Sequence, residues 1–206
     1  MSLLTDRAVI LASASPRRLM LLRQIGIEPK VIAAEIREMS PRPGMPPAKL
    51  VMKNADLKAL AVSKCIPQQD GLIIAADTVV ALDDQILGKP RGPMEARNML
   101  RSLSGRWHQV FSGLCLLDGV TGKRICGYST TKVHFVPLTE QVISAYVATG
   151  EPRDKAGAYG MQGQGGLFVD RIEGDYTTVV GMSLPLLRMM ILKLEEKRDP
   201  MQHDKN

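Results

Sequence analysis

Aromatic side chains are scarce in this chain: phenylalanine, tryptophan and tyrosine make up 4% of its 206 residues. Stacking platforms for single-stranded nucleic acid are correspondingly few, and no helix-turn-helix or zinc signature takes their place. Cysteine is sparse too. Cys65, Cys115 and Cys126 are odd in number and far apart in sequence, with no Cys-x-x-Cys pair. They read as reduced, small core hydrophobes of a cytosolic protein. No run of 18 apolar residues exists, so no membrane span is expected. The short apolar run near the N-terminus meets Pro16-Arg17-Arg18 at once and reads as a core strand, not a signal peptide. A Walker A loop, a Gly-x-Ser-x-Gly elbow around Ser112 and a dinucleotide fingerprint are all missing.

What is present is ordinary globular material, 45% hydrophobic and 23% charged, with a net charge of +6. That balance suits a polyanionic partner such as a free nucleotide. Alternating strand-like and helix-like segments argue for an α/β class with some antiparallel pairing. Strands are expected at residues 8–12, 31–34, 72–76, 110–117, 123–136 and 178–180, with a hairpin from 79–82 to 86–87. Helices are expected from Pro16 onward and over 48–63, 93–103, 139–147 and 184–194. One domain over residues 1–195 and a loose polar tail over 196–206 complete the reading.

The run Ser13-Ala14-Ser15-Pro16-Arg17-Arg18 puts two arginines in the first turn of a helix capped by Ser15, with Pro16 at its first position. The helix dipole disfavours cations there. The pair is either two solvated side chains or part of an anion site built with the free N–H groups. Asp77 follows the buried run Ile73-Ile74-Ala75-Ala76, where a strand emerges, and suits metal binding or activation of water. Glu38, with Glu35 as the neighbouring choice, can supply a second carboxylate. Lys58 lies one helical turn after Asn54, and Lys89 sits in Gly88-Lys89-Pro90; alone, each reads as a surface lysine. His108 reads as a structural histidine. Five glycines between 157 and 166 call for close backbone packing, and Gln162 among them can read a base edge.

These runs together, with Ala76-Asp77-Thr78, Ser104-Gly105-Arg106-Trp107-His108, Asp154-Lys155-Ala156-Gly157-Ala158-Tyr159-Gly160-Met161-Gln162-Gly163, Gly174-Asp175-Tyr176 and Val179-Val180-Gly181, resemble the Maf family of nucleotide pyrophosphatases over about residues 7–190. The resemblance implies an elongated mixed sheet with flanking helices, two lobes around a cleft, similar to inosine triphosphate pyrophosphatases. It implies hydrolysis of a nucleoside triphosphate to the monophosphate and pyrophosphate, with Mg²⁺ or Mn²⁺ as cofactor. It puts the base on Asp77, the metal on Asp77 and Glu38, phosphate binding on Arg17, Arg18, Lys58 and Lys89, and specificity on Arg17, Thr78 and Gln162. The glycine-rich run is similar to that of the branch acting on dTTP and UTP, whose relatives also take modified pyrimidines; the alternative branch takes 7-methyl-GTP. A basic nucleic-acid-binding or cell-division module is the reading from another class. A cytoplasmic location, no membrane partner and room for a homodimer go with the enzyme. The chain departs from the family at Ser112, where threonine is common, and at Met182-Ser183-Leu184-Pro185, which is longer than the usual run.

Overall fold

The apolar run before Asp77 forms the middle of one long strand in a computed structural model that describes residues 7–42, 44–66 and 71–196. In chain order the elements are β1 (Ala8–Leu11), α1 (Pro16–Gln24), β2 (Lys30–Val31), α2 (Pro47–Cys65), β3 (Gly71–Leu82), β4 (Gln85–Leu87), α3 (Pro93–Leu103), β5 (Trp107–Asp118), β6 (Arg124–Phe135), α4 (Glu140–Ala148), three short 3-10 turns, β7 (Val169–Glu173), α5 (Tyr176–Val180) and α6 (Leu184–Glu196). The strands join in one sheet of order β2-β1-β3-β5-β6-β7, and β4 pairs with β3. β1 runs parallel to both β2 and β3, whereas the β3-β5-β6-β7 ladder is antiparallel.

Alternation along β3 explains its near-complete burial. Leu72, Ile74 and Ala76 face Leu21 and Leu22 of α1 and Leu187, Met190 and Ile191 of α6. Ile73 and Ala75 face Ala55, Ala59 and Val62 of α2. Further along, Val80 and Leu82 enter a separate core with Leu100, Leu103, Phe135, Ile143, Tyr146 and Phe168. Two cores thus share one strand, and the lobes meet near Asp77. The edge of β3 opens at the same place. β1 pairs only as far as Ile74 and β4 only from Val80, so among the described residues no strand covers residues 75–79 on that side.

Four expectations need correction. Asp77 and Thr78 lie in mid-strand, not at a strand end: β3 continues through them because Asp77 is buried against α2 rather than turned to solvent. β2 is two residues long, since the chain leaves β1 after Ile32 donates to the Leu11 carbonyl. Residues 178–180 belong to helix α5, because the Asp175 carboxylate accepts from the Thr177 amide and from both threonine hydroxyls and so closes a helical first turn. Of the cysteines only Cys115 is buried; Cys65 and Cys126 are exposed. β7 was not foreseen. α6 runs through Glu196 into the stretch expected to be loose, and residues 197–206 lie outside the described residues.

Candidate active site

The open edge of β3 forms the floor of a cleft of about 350 Å³. All eight positions given a role by the family resemblance line it: Arg17, Arg18, Glu38, Lys58, Asp77, Thr78, Lys89 and Gln162. Glu35 does not.

α2 brings the central charges together. Gly113 on β5 stands directly opposite Asp77, and a Cβ there would lie 2.3 Å from the Val51 carbonyl carbon. Glycine therefore lets the α2 backbone approach the sheet closely enough for Asn54 and Lys58, one turn apart, to reach Asp77. Lys58 Nζ lies 2.8 Å from Asp77 Oδ1 and 2.8 Å from Glu38 Oε1. Asn54 Nδ2 donates to Asp77 Oδ2 at 3.0 Å, while its amide pairs with the Met39 backbone through both N–H and C=O. Asn54 thus fixes Asp77 and the segment bearing Glu38 at once. Sequence reasoning gave Asn54 no role, although its spacing from Lys58 was the available signal. Burial alone would raise the Glu38 carboxyl, but Lys58, then Lys89 and Arg18, outweigh it and hold it below the usual carboxylate range.

The two arginines of α1 differ. Ser15 caps the helix by backbone geometry without a side-chain bond, and Pro16 follows. Arg17 is partly exposed, 3.5 Å from Asp154 Oδ2. Arg18 is buried. Its Nε donates to the Gly181 carbonyl at 3.0 Å, Nη1 to Ser13 Oγ at 2.9 Å and Nη2 to Thr78 Oγ1 at 3.1 Å. Burial lowers its pKa, with Asp77 opposing that fall; a guanidinium stays charged regardless. Two of its five N–H donors remain for a ligand. Thr78 spends its one hydroxyl proton on the Gly181 carbonyl.

The far wall belongs to the other lobe. Lys89 is exposed beside the glycine-rich segment, which is tied to it by Gly157 N–H donating to the Gly88 carbonyl. Glu151 shapes this segment: its carboxylate accepts from Tyr146 Oη and from the Gln164 and Gly165 amides. A Cβ at Gly163 would lie 2.3 Å from Glu151 Oε1, so glycine beside Gln162 is required by packing. His108 stays out of the cleft, buried, with Nε2 2.9 Å from Tyr159 Oη; burial pushes it down to about 4.

Asp77 Oδ1 and Glu38 Oε1 converge on one cation-sized position, now taken by Lys58 Nζ. Two carboxylates beside a cleft lined by cations are hard oxygen donors of the kind Mg²⁺ and Mn²⁺ use together with phosphate oxygens. The residues fit such an ion.

A family model described as "Maf-like protein" matches residues 8–194. The chain is 42% identical over 188 residues to a dTTP/UTP pyrophosphatase of Dictyoglomus thermophilum, covering 91% of this chain and 96% of that one. It is 46% identical over 183 residues to a dTTP/UTP pyrophosphatase of Methanosarcina barkeri, covering 89% and 91%. Among solved structures it is similar to the Ham1 protein of Staphylococcus aureus, at 14% identity and a TM-score of 0.42, over 63% of this chain and 72% of that one. On the extent of the model match and of the identity to these relatives, the chain belongs to the Maf-like protein family.

Proposed function

We propose that this protein hydrolyses dTTP and UTP to the nucleoside monophosphate and pyrophosphate. The observation that carries the reading is the convergence of Asp77 and Glu38 on Lys58 inside a cleft whose other walls bear Arg17, Arg18 and Lys89. The names of the relatives, dTTP/UTP pyrophosphatase, supply the substrates.

In this reading the triphosphate lies across the open edge of β3. Arg17, Arg18, Lys58 and Lys89 bind its oxygens and neutralise charge as the bond to the leaving pyrophosphate breaks; in phosphoryl transfer such neutralisation supplies most of the catalysis. Asp77 accepts the proton of the water that attacks the α-phosphorus. Asn54 holds the second oxygen of Asp77, so the first stays aimed into the cleft. Asp77 and Glu38 would hold Mg²⁺ or Mn²⁺, which would supply Lewis-acid polarisation of the phosphoryl group. Arg17 and Gln162 read the nucleoside, and Thr78 contributes by fixing Arg18. Residues 1–195 act as one catalytic unit, and a nucleotide substrate of this kind goes with a cytoplasmic location. No described helix is long and apolar enough to cross a membrane.

Pyrophosphate release from dTTP, UTP, CTP, GTP and 7-methyl-GTP, with Mg²⁺ or Mn²⁺ and with chelator, tests the proposal. Turnover of dTTP and UTP that stops on chelation is the expected result. Turnover of 7-methyl-GTP alone would overturn the substrate assignment, and no release from any nucleotide would overturn the reaction.

A further inference from the structure

On the sheet face that α2 covers, away from the cleft, β5 and β6 set Cys115 directly opposite Cys126. Opposed residues of an antiparallel pair share a face and have Cα atoms about 4.5–5.5 Å apart. That lies inside the span of about 4.4–6.8 Å that a disulfide bridges. The two sulfurs are 2.7 Å apart, Cys115 buried and Cys126 exposed. Asp56 of α2 sits over them, with Oδ1 4.0 Å from Cys115 Sγ. The three side chains place one ligand atom each within 4.8 Å of one another, an arrangement that suits either a soft metal ion or a reactive dithiol. The surroundings decide between them. The Asp56 carboxylate is already paired with Arg124 at 3.2 Å and Lys53 at 3.5 Å. These cations repel an incoming metal ion and favour a thiolate.

We propose that Cys115 and Cys126 form a reversible dithiol–disulfide site, with a peroxide as the oxidant. Cys126 is the attacking group: it is reachable, and its contact with the Cys115 thiol, helped by Arg124 and Lys53, outweighs both burial and the nearby Asp56 carboxylate and holds its pKa below the ordinary range. Cys115, raised by its contact with Cys126 and by burial, resolves. The Cys126 thiolate attacks one peroxide oxygen. The O–O bond breaks, hydroxide leaves and takes up a proton to become water, and Cys126 becomes a sulfenic acid. Cys115 sulfur then attacks Cys126 sulfur, giving up its proton; the S–O bond breaks, water leaves and the disulfide forms. Two thiols supply the two electrons that reduce one peroxide to two waters.

The test uses the full chain carrying Cys65→Ser, which removes the third thiol, Cys65 being exposed. Hydrogen peroxide should take the titratable thiols from two to none and leave the joined Cys115 and Cys126 peptides about 2 Da lighter than their sum. Peptide mapping should link Cys115 to Cys126, and dithiothreitol should reverse the change. Adding Cys115→Ser should block the link and trap a dimedone-reactive sulfenic acid on Cys126. A gain of about 32 Da on the Cys126 peptide without a link, the mark of sulfinic acid, would overturn the proposal. So would one equivalent of Zn²⁺ held by the reduced protein and lost in Cys126→Ser.

Discussion

Asp77→Asn separates the chemistry of the cleft from its architecture. Asp77 is buried and accepts from two donors, Lys58 Nζ at 2.8 Å and Asn54 Nδ2 at 3.0 Å. An amide in its place offers one oxygen for those two donors and turns an NH₂ toward the other. Asn54 cannot flip to help without breaking its pair of bonds to the Met39 backbone. One buried donor is left unmatched, at a cost of about 1–3 kcal/mol. The full penalty for orphaning a buried charge, about 3–5 kcal/mol, does not apply, because Lys58 keeps Glu38. Taking about 2 kcal/mol and the response of a domain of this size, melting should fall by about 4–8 °C. Loss of the proton acceptor should lower kcat by a factor of about 10²–10⁴. KM should move only a few-fold, since Arg17, Arg18, Lys58 and Lys89, proposed above to bind phosphate, are untouched. Pyrophosphate-release kinetics beside circular dichroism at one temperature read both effects. A folded variant that retains the wild-type kcat would refute the role given to Asp77.

Three further outcomes follow from the same geometry. Gly113→Ala drives a Cβ against backbone atoms of Val51 and Met52 that cannot yield alone; thermal melting should drop by at least about 6 °C, from overpacking worth about 3 kcal/mol, and an unchanged melting point would contradict the close approach of α2. His108 has its folded pKa depressed to about 4. The unfolded chain therefore binds the proton first, and stability should be full above pH of about 6.5 and fall by about 3 kcal/mol as pH drops toward 4. Urea titrations over that range should show the slope, and His108→Gln should flatten it. With Gln162 reading the base edge as proposed, Gln162→Ala forfeits hydrogen bonds worth about 0.5–1.5 kcal/mol; kcat/KM for dTTP should fall about 3–10-fold while chelator sensitivity persists, and an unchanged value would remove Gln162 from recognition.

How much of this was legible depended on whether the signal was local. Pro16 after Ser15 announces the start of α1, and Thr139 accepting from Val142 N–H announces α4; both elements begin where those residues direct. Asp77 was legible as a residue but misplaced. The hydrophobic run stops at it, and only the partner groups on α2 explain why the strand does not. Residues 178–180 look extended because Thr-Val-Val favours strands, yet the Asp175 carboxylate reaches Thr177 and Thr178 and the turn prevails over propensity. β7 escaped because only two of its five residues are even partly buried, which leaves little alternation to read. Cys115 and Cys126 looked unrelated because their juxtaposition comes from the β5-β6 register, a long-range property that spacing does not carry.

The charge of the cleft follows from that same division of labour. Arg17, Arg18, Lys58, Lys89 and Lys155 face Glu38, Asp77 and Asp154, leaving two positive charges in excess. None of the central groups waits for a ligand to order it. Arg18 is held by Ser13, Thr78 and Gly181, Lys58 by two carboxylates, and Asp77 by Asn54. Arg18, fixed in this way by the fold, needs no reorganisation when charge shifts on a bound phosphate, which is where an electrostatic site gains over water; Lys58 would instead yield its place between Asp77 and Glu38 were a metal ion to enter there. The cost is met in folding, by two cores on either side of β3 and by a glycine at position 113 that lets α2 sit almost on the sheet. The excess of two charges then selects for polyanions, while Arg17 and Gln162, proposed above to choose among nucleosides, lie on the more exposed walls where substitution disturbs neither core.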